Sequence, residues 1–495
     1  MKTGRITAES WLGPRYRPGL NWRLFAALCG LESSLVIVVL TLYRLTYKQT
    51  WSAFLLSLPG VAFCGALVSA AFFGRAAMHT WSRGKREDVS SASLTLLVHS
   101  LVLFVAYATA EYTLRSRAVI QIWGEEVHGR LLLPRRWNVV VERYVRMLES
   151  FEKRPSYYQE DPLLGWSIGA NRVSQNGLFY SSPEGFRSMR PAVSYDRSAP
   201  CRVALLGDSF TFGEEARFED TWNYYLQQRL GPNCQVINFA VPGYSIGQMY
   251  LRLERDILPH DPDLVILGFT DGALDRTLGI YCFLMGLEWP DCPWVAPRFA
   301  LRDGELVVVN APLPHPHEIY ATKAIYDLPF IAYDRWYHTA EWEQRHWEHL
   351  YASYVFRFLT TLYPIYNVVD PEVFDTALHD VNSALFRAFL DLADKNSLRV
   401  LIVYLPMMED YGYKVRYRAP VSHGVLKDAG IDFIDGTTCI AQLEESRRFL
   451  ATGLHYTPEG ERHLAECLLP HVLKQLSAVR PTHGKPTVTL RCPCE

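Results

Sequence analysis

Three apolar stretches near the N-terminus, at about residues 24–43, 52–73 and 92–111, constrain this chain more than any other feature of its 495 residues. Each is long enough to cross a bilayer as a helix, which takes about 20 residues. Backbone in hydrocarbon must satisfy its own hydrogen bonds, so helix is the form such stretches take. The chain before the first stretch is too long and too rich in arginine for the start of a signal peptide, and no small-residue cleavage signal follows. Three retained transmembrane helices are therefore expected. Lys2, Arg5, Arg15, Arg17 and Arg23 precede the first, and Arg75, Arg83, Lys85 and Arg86 separate the second from the third. Only Arg44 and Lys48 lie between the first two. This bias puts the N-terminus in the cytoplasm and everything after about residue 112 on the extracytoplasmic side of the inner membrane. Arg115, Arg117, Arg130, Arg135 and Arg136 pull the other way. Glu32 and His99 fall at similar depth in their stretches and are expected to pair across the bundle, as a structural polar contact.

Residues 1–111 are thus read as the membrane anchor and 112–200 as a linker and extended lead-in rich in Tyr, Gly, Pro, Ser and Asn. From 201 the pattern changes. Apolar runs at 202–208, 234–241, 263–269, 398–405 and 430–435 alternate with helical spacing at 221–230, 246–258, 377–396 and 457–476. Strands separated by helices imply an α/β domain with a parallel sheet covered on both faces, a three-layer arrangement. The continuous apolar run LRVLIVYL fits a strand buried on both sides. An aromatic-rich insert at about 276–376 interrupts the rhythm, with a hairpin expected at 300–310 turning at Asp303–Gly304. The tail runs from 479 to 495.

The formal net charge of -2 gives no broad attraction for nucleic acid. No Gly-rich phosphate loop, dinucleotide fingerprint or metal-ligand spacing stands out, so no cofactor and no metal are expected. Eight of the ten cysteines lie beyond the membrane stretches, which suits an oxidising compartment. Cys201 and Cys234 each open a strand-like run and stand as neighbours if those strands pair. Cys282 and Cys292 bracket a loop, and Cys439 and Cys467 flank the region of His455.

The motif that points to chemistry is GDSFTFG at 207–213, between a strand and a helix. A serine at that turn exposes its hydroxyl at the carboxyl edge of the sheet, and its own N–H faces any oxyanion formed there. A serine needs a base to remove its proton, so a histidine is sought elsewhere. The plainer alternative is that the Asp or Ser only caps a helix.

In this motif the chain resembles the SGNH/GDSL hydrolases, in the manner of membrane-anchored bacterial members. GDSFTFG is similar to that family's first block and NFAVPGYS (238–245) to its second. GLHYTPEGERHLAE (453–466) is similar to its closing block, and DPLLGWSIGAN…EGFRS (161–188) to the segment that often precedes the domain. The resemblance covers roughly 156–270 and 377–478. It implies a flavodoxin-like SGNH domain over 201–478, with Ser209 as nucleophile and His455 as general base. It further implies that the N–H groups of Ser209 and Gly243 bind the oxyanion.

Two positions depart from the pattern. Where the family supplies an oxyanion-binding Asn, the chain reads LGFTDGALD (267–275), so Thr270 is the candidate donor, with Asp271 beside it or turned away as a cap. Where the family has an Asp three residues before the histidine stands Thr452, leaving Asp432 and Asp435 as candidate acids, with Glu444 and Glu459 also near in sequence. His455 also fits a capping position before Thr457 and Pro458.

The expected function is an extracytoplasmic serine esterase acting on an acylated small molecule or glycan, such as an O-acetyl carbohydrate. An O-acyltransferase working on an envelope polysaccharide with a partner membrane protein is the alternative. A catalytically degenerate, glycan-binding module is a third, favoured by the two departures.

Overall fold

The computed structural model describes residues 86–477 except 122–123, 192, 286–291, 339–340, 343–347, 363–370, 413–419 and 452–454, together with Trp22, residues 25–31, Ser33, Arg75 and Met78. It divides into two compact units, residues 1–139 with 338–368, and 140–337 with 369–495.

In the first unit, helix α1 (Arg86–Arg117) includes a segment, Leu97–Arg117, long and apolar enough to cross a membrane. It is the one such helix among the described residues. The expected spans at 24–43 and 52–73, and Glu32, lie largely or wholly outside the described residues. His99 is buried, with its ring edge-on to Phe25 and Nδ1 3.8 Å from the Cys29 sulfur. Residues 338–368 leave the expected insert for this unit, because they complete a buried charge cluster. Glu125 accepts from Arg136, from the Tyr354 hydroxyl and from Arg357, and Arg357 also donates to the carbonyls of Leu132 and Pro134. A carboxylate taken from water is tolerated only when so fully partnered. Glu111 does a second job there, accepting from the N–H groups of Tyr354 and Val355 that open the helix Tyr354–Leu362.

The second unit opens with helix α2 (Trp137–Lys153), most of which belongs to it. Its sheet has seven strands: β1 (Tyr180–Ser181), β2 (Arg187–Ser188), β3 (Cys201–Gly207), β4 (Cys234–Asn238), β5 (Leu264–Phe269), β6 (Val400–Tyr404) and β7 (Ile434–Asp435). The spatial order is β7-β6-β5-β3-β4-β2-β1. The five strands from β3 to β7 are mutually parallel, as the strand–helix alternation predicts. The lead-in is not a bare linker. Its β2 pairs antiparallel with β4, Arg187 opposite Asn238, and so covers the backbone groups that an edge strand would leave open.

Side chains of β3 and β5 alternate between two buried layers. Val203, Leu205, Leu264 and Ile266 pack with Trp222 and Leu226 of helix α3 (Trp222–Leu230) and with Leu464 and Leu468 of the closing helix Pro458–Ser477. Ala204, Leu206, Val265 and Leu267 pack on the opposite side with Ile246 and Met249 of helix α4 (Ile246–Arg252) and Phe386 and Phe389 of helix α5 (Pro371–Lys395). Each Val, Leu, Ile, Met or Phe side chain among them contributes about 1.5–3 kcal/mol when fully buried, and the two layers together fix which strand ends present loops. Disulfides join Cys201–Cys234, at the first register pair of β3 and β4, Cys282–Cys292 and Cys439–Cys467. The hairpin Phe299–Arg302 with Glu305–Val308 turns at Asp303–Gly304, both with positive φ.

Candidate active site

In a parallel sheet of this order, β3 and its neighbour β5 carry their connections to opposite faces, and a crevice opens beyond their carboxyl ends. The turn after β3 is set down close against the sheet. A Cβ on Gly207 would lie 2.1 Å from the Gly268 carbonyl and 2.3 Å from Thr211 Oγ1, so only glycine lets the turn Ser209–Phe212 lie there. Thr211 Oγ1 donates to the Gly268 carbonyl at 2.7 Å. Asp208 caps the turn, accepting from the Phe210 N–H. Ser209 is left half-buried at its tip.

His455 comes from the other end of the chain. Its carbonyl accepts from the Leu450 N–H at 2.8 Å, and Phe449 bridges Tyr456. The next residue, Tyr456, donates to the Pro406 carbonyl at 2.7 Å, and Phe210 packs against both rings. Thr457 then caps the closing helix through the Gly460 N–H, with Pro458 at its first position. So anchored, the imidazole is buried with Nε2 2.9 Å from Ser209 Oγ and Nδ1 2.8 Å from Glu215 Oε2. The tautomer protonated at Nδ1 satisfies both contacts, donating to Glu215 and accepting from the serine hydroxyl.

The acid partner of the imidazole is thus neither Asp432 nor Asp435. Asp432 is exposed. Asp435 accepts from the Thr437 N–H at 2.9 Å and lies 3.7 Å from His423, at the end of β7. Glu215 stands six positions after Ser209, in the acidic pair Glu214–Glu215 that directly follows the GDSFTFG block. That pair is the signal in the sequence. What it does not reveal is the turn's direction, which is set from outside. Glu215 sits at φ 67°, a left-handed conformation costing a non-glycine residue about 1–3 kcal/mol. Arg187, fully buried, holds the segment there by donating to the carbonyls of Phe212, Gly213 and Ala216 and stacking on Phe212 at 4.3 Å. Asn238, its register partner, donates to the Thr211 carbonyl.

Thr270 does not aim at the crevice as an oxyanion donor. Its hydroxyl, which has one proton to give, donates to Asp208 Oδ2 at 2.7 Å. Asp271 is turned away, accepting from the N–H groups of Val421 and Ser422 at the start of the helix Val421–Asp428. The position is organised instead by Arg276, which sequence reasoning does not single out. Its Nη2 donates to Asp208 at 3.0 Å and its Nε to the Tyr244 carbonyl at 3.1 Å. Arg276 therefore ties the residue before Ser209 to the residue after Gly243, the two loops whose N–H groups are the candidate oxyanion donors. Gly243 has φ 78°, in the turn between β4 and α4.

Electrostatics around His455 favour its charged form. Burial alone lowers its pKa, but the hydrogen bond to Glu215 and the charges of Glu214, Glu215 and Asp208 outweigh this and raise it above the usual value. Glu214 Oε2 lies 3.7 Å from the same Nε2 that faces Ser209. Burial pushes Glu214 up, while the imidazolium pulls it down. Glu461, buried against the Trp222 N–H, is pushed up to about 8, mainly by burial.

No protein-family model and no curated protein matches this sequence. Among solved structures it is similar to the lipase/acylhydrolase of Enterococcus faecalis, with 14% identity and a TM-score of 0.26 over 57% of this chain and 100% of that one. A GDSL-like lipase of Bacteroides thetaiotaomicron matches with 13% identity and a TM-score of 0.28 over 57% and 93%. A member of the lipolytic G-D-S-L family from Veillonella parvula matches with 13% identity and a TM-score of 0.29 over 55% and 97%.

Proposed function

We propose that the chain is a serine ester hydrolase of the SGNH type. The observation that carries this reading is one imidazole bonded on one nitrogen to Ser209 at 2.9 Å and on the other to Glu215 at 2.8 Å. A hydroxyl, a base and a carboxylate in that relation are what acyl transfer through a serine requires.

In the proposed reaction Ser209 Oγ attacks the ester carbonyl carbon and its proton passes to His455 Nε2. Glu215 keeps the Nδ1 proton in place and stabilises the imidazolium. The N–H groups of Ser209 and Gly243 hold the oxyanion, with Arg276 fixing the distance between their loops. Collapse breaks the bond to the alkoxy oxygen, which leaves as the alcohol with the proton from Nε2. Water then attacks the acyl-serine, gives a proton to Nε2, and the acid departs as Ser209 Oγ is reprotonated.

A third group on the histidine supports an active catalyst over a degenerate module, since an acid at that place removes one of the two apparent departures. A segment long and apolar enough to cross a membrane and three disulfides support an anchored protein working in an oxidising, extracytoplasmic space. An acylated glycan is the substrate we favour, with transfer to a second sugar as the alternative fate of the acyl-serine. The test is labelling of the full chain in detergent with a fluorophosphonate, and hydrolysis of 4-nitrophenyl acetate. Labelling confined to Ser209 and lost in Ser209→Ala is expected. Folded protein that neither labels nor releases nitrophenol would overturn the reading.

A further inference from the structure

Glu214 is not needed for the proton relay, yet it stands on the substrate side of the imidazole. It also forms part of the wall of a cleft of about 460 Å3, which Ser209 and His455 themselves do not line, so Glu214 is where the cleft meets the surroundings of the histidine. The cleft's other walls come from the C-terminal end of α2, with Ser150 and Arg154, and from the lead-in, with Tyr157, Ser174 and Asn176. The volume lies in the range of small-ligand sites, about 300–1,000 Å3.

The lining says what kind of ligand would fit. A slot for a long acyl chain is apolar along its length, because burying hydroxyl, amide and guanidinium groups against methylenes costs their hydration without return. This cleft mixes aromatic rings with hydroxyls, side-chain amides, one guanidinium and one carboxylate. Such walls suit a ring that is apolar on its faces and carries hydroxyls around its edge.

Position adds a second constraint. In ester cleavage the alkoxy oxygen must approach His455 Nε2 to collect its proton. Glu214 Oε2 lies 3.7 Å from that nitrogen, so a hydroxyl on the carbon next to the ester falls within its reach. A carboxylate there accepts from a hydroxyl and finds no donor on an alkyl chain. We propose that the cleft holds the alcohol half of the ester, and that Glu214 accepts from the hydroxyl beside the scissile oxygen. The preferred substrate is then an O-acylated sugar with a free neighbouring hydroxyl. This rests on the esterase reading above.

The full chain in detergent is assayed on three acetyl esters: 4-nitrophenyl acetate, a methyl pyranoside with one acetyl beside a free hydroxyl, and the same compound with that hydroxyl O-methylated. The expected result is a kcat/KM about tenfold higher for the free hydroxyl than for the methyl ether, the scale of one hydrogen bond to a charged group. In Glu214→Leu that preference falls below about threefold, with Ser209 labelling reporting that the variant is folded. Equal rates for wild type on the two sugar esters, with nitrophenyl acetate still cleaved, would overturn the cleft proposal and leave the esterase standing. The wild-type comparison does not depend on the variant folding. No hydrolysis of any ester would remove the reading on which the proposal rests.

Discussion

Glu125 of the first unit and Glu215 of the second are both carboxylates drawn out of water, and they are partnered in opposite ways. Glu125 is buried and shared among Arg136, Arg357 and Tyr354. Burial raises its pKa, but the two arginines and the tyrosine more than compensate and hold it at about 2. Glu215 remains partly open to solvent and is bonded to an imidazole whose far nitrogen meets a serine hydroxyl. The first arrangement has no valence left for a reaction. The second couples a carboxylate to a proton that can move. The number and kind of partners, rather than burial or charge alone, separate a carboxylate that holds a fold from one that can serve chemistry.

The largest effect that bears on this contrast is expected at Ser209. Ser209→Ala should lower kcat/KM by at least about 10⁴-fold, as loss of a triad nucleophile does. It should leave thermal unfolding nearly unchanged, since the hydroxyl is half-exposed and its loss opens no cavity. A comparable loss of stability would mean that the contact holds the fold and would erase the distinction. The mirror experiment is Glu125→Ala, which leaves Arg357 buried without its carboxylate. A destabilisation of about 3–5 kcal/mol is expected, read as faster hydrogen exchange in peptides of the first unit. Ester hydrolysis per folded molecule should be unaltered.

How much of this was open to inspection in the sequence follows from the range of the interactions. The strands β3 to β6 are largely apolar runs between turn residues, so their identity was local and readable, and the short β7 was placed by its position before the closing helix. Ser209 and His455 sit in blocks, GDSFTFG and GLHYTPEG, whose neighbours form the strand end, the turn and the helix cap. Cys201 and Cys234 followed from strand pairing. The acid was not readable by the same means. Asp432 and Asp435 are closer to His455 in sequence, but Glu215 reaches it because Arg187, from a strand before the parallel sheet begins, grips three carbonyls of the turn. Thr270 looked like a substitute oxyanion donor because nothing local says that its hydroxyl is committed to Asp208. The departure of 338–368 from the insert hinges on charges more than 200 residues apart, Glu125 and Arg357.

Glu215→Gln tests the acid more finely than either deletion. The amide keeps the shape and removes the charge, so a fall of up to about 10⁴-fold in kcat/KM is expected, less than for the nucleophile. The pH profile distinguishes a catalytic role from mere support. Activity needs the neutral imidazole, so in wild type it falls as pH drops through the raised pKa of His455. With the charge of Glu215 removed, that acidic limb should move to lower pH. A limb that stays in place while the rate falls would make Glu215 a structural prop and bring it closer to Glu125 than to a triad acid.

The smallest expected effect concerns stability against pH, where the two carboxylate sites should carry opposite signs. Glu125 has a folded pKa of about 2, below its ordinary 4.5. Its contribution is present above 4.5 and is lost as pH falls toward 2. His455 has a folded pKa above its ordinary 6.5, so its contribution is full below 6.5 and is lost as pH rises through the folded value. Glu461, pushed up to about 8, also withdraws stability as pH rises from 4.5 to 8. A direct scan would mix it with His455. Comparing wild type with His455→Gln cancels the common carboxylate and isolates the imidazole together with its couplings to Glu214, Glu215 and Glu461. The difference in exchange protection of the second unit should be larger at pH 5.5 than at pH 9, while protection around Glu125 should weaken only under acid. If the His455→Gln difference grew toward high pH, the imidazole would be favoured in its neutral form. The pull of Glu214, Glu215 and Asp208 would then be too weak to overcome burial, and the acidic limb of the rate profile would have to lie lower than a raised imidazole pKa places it.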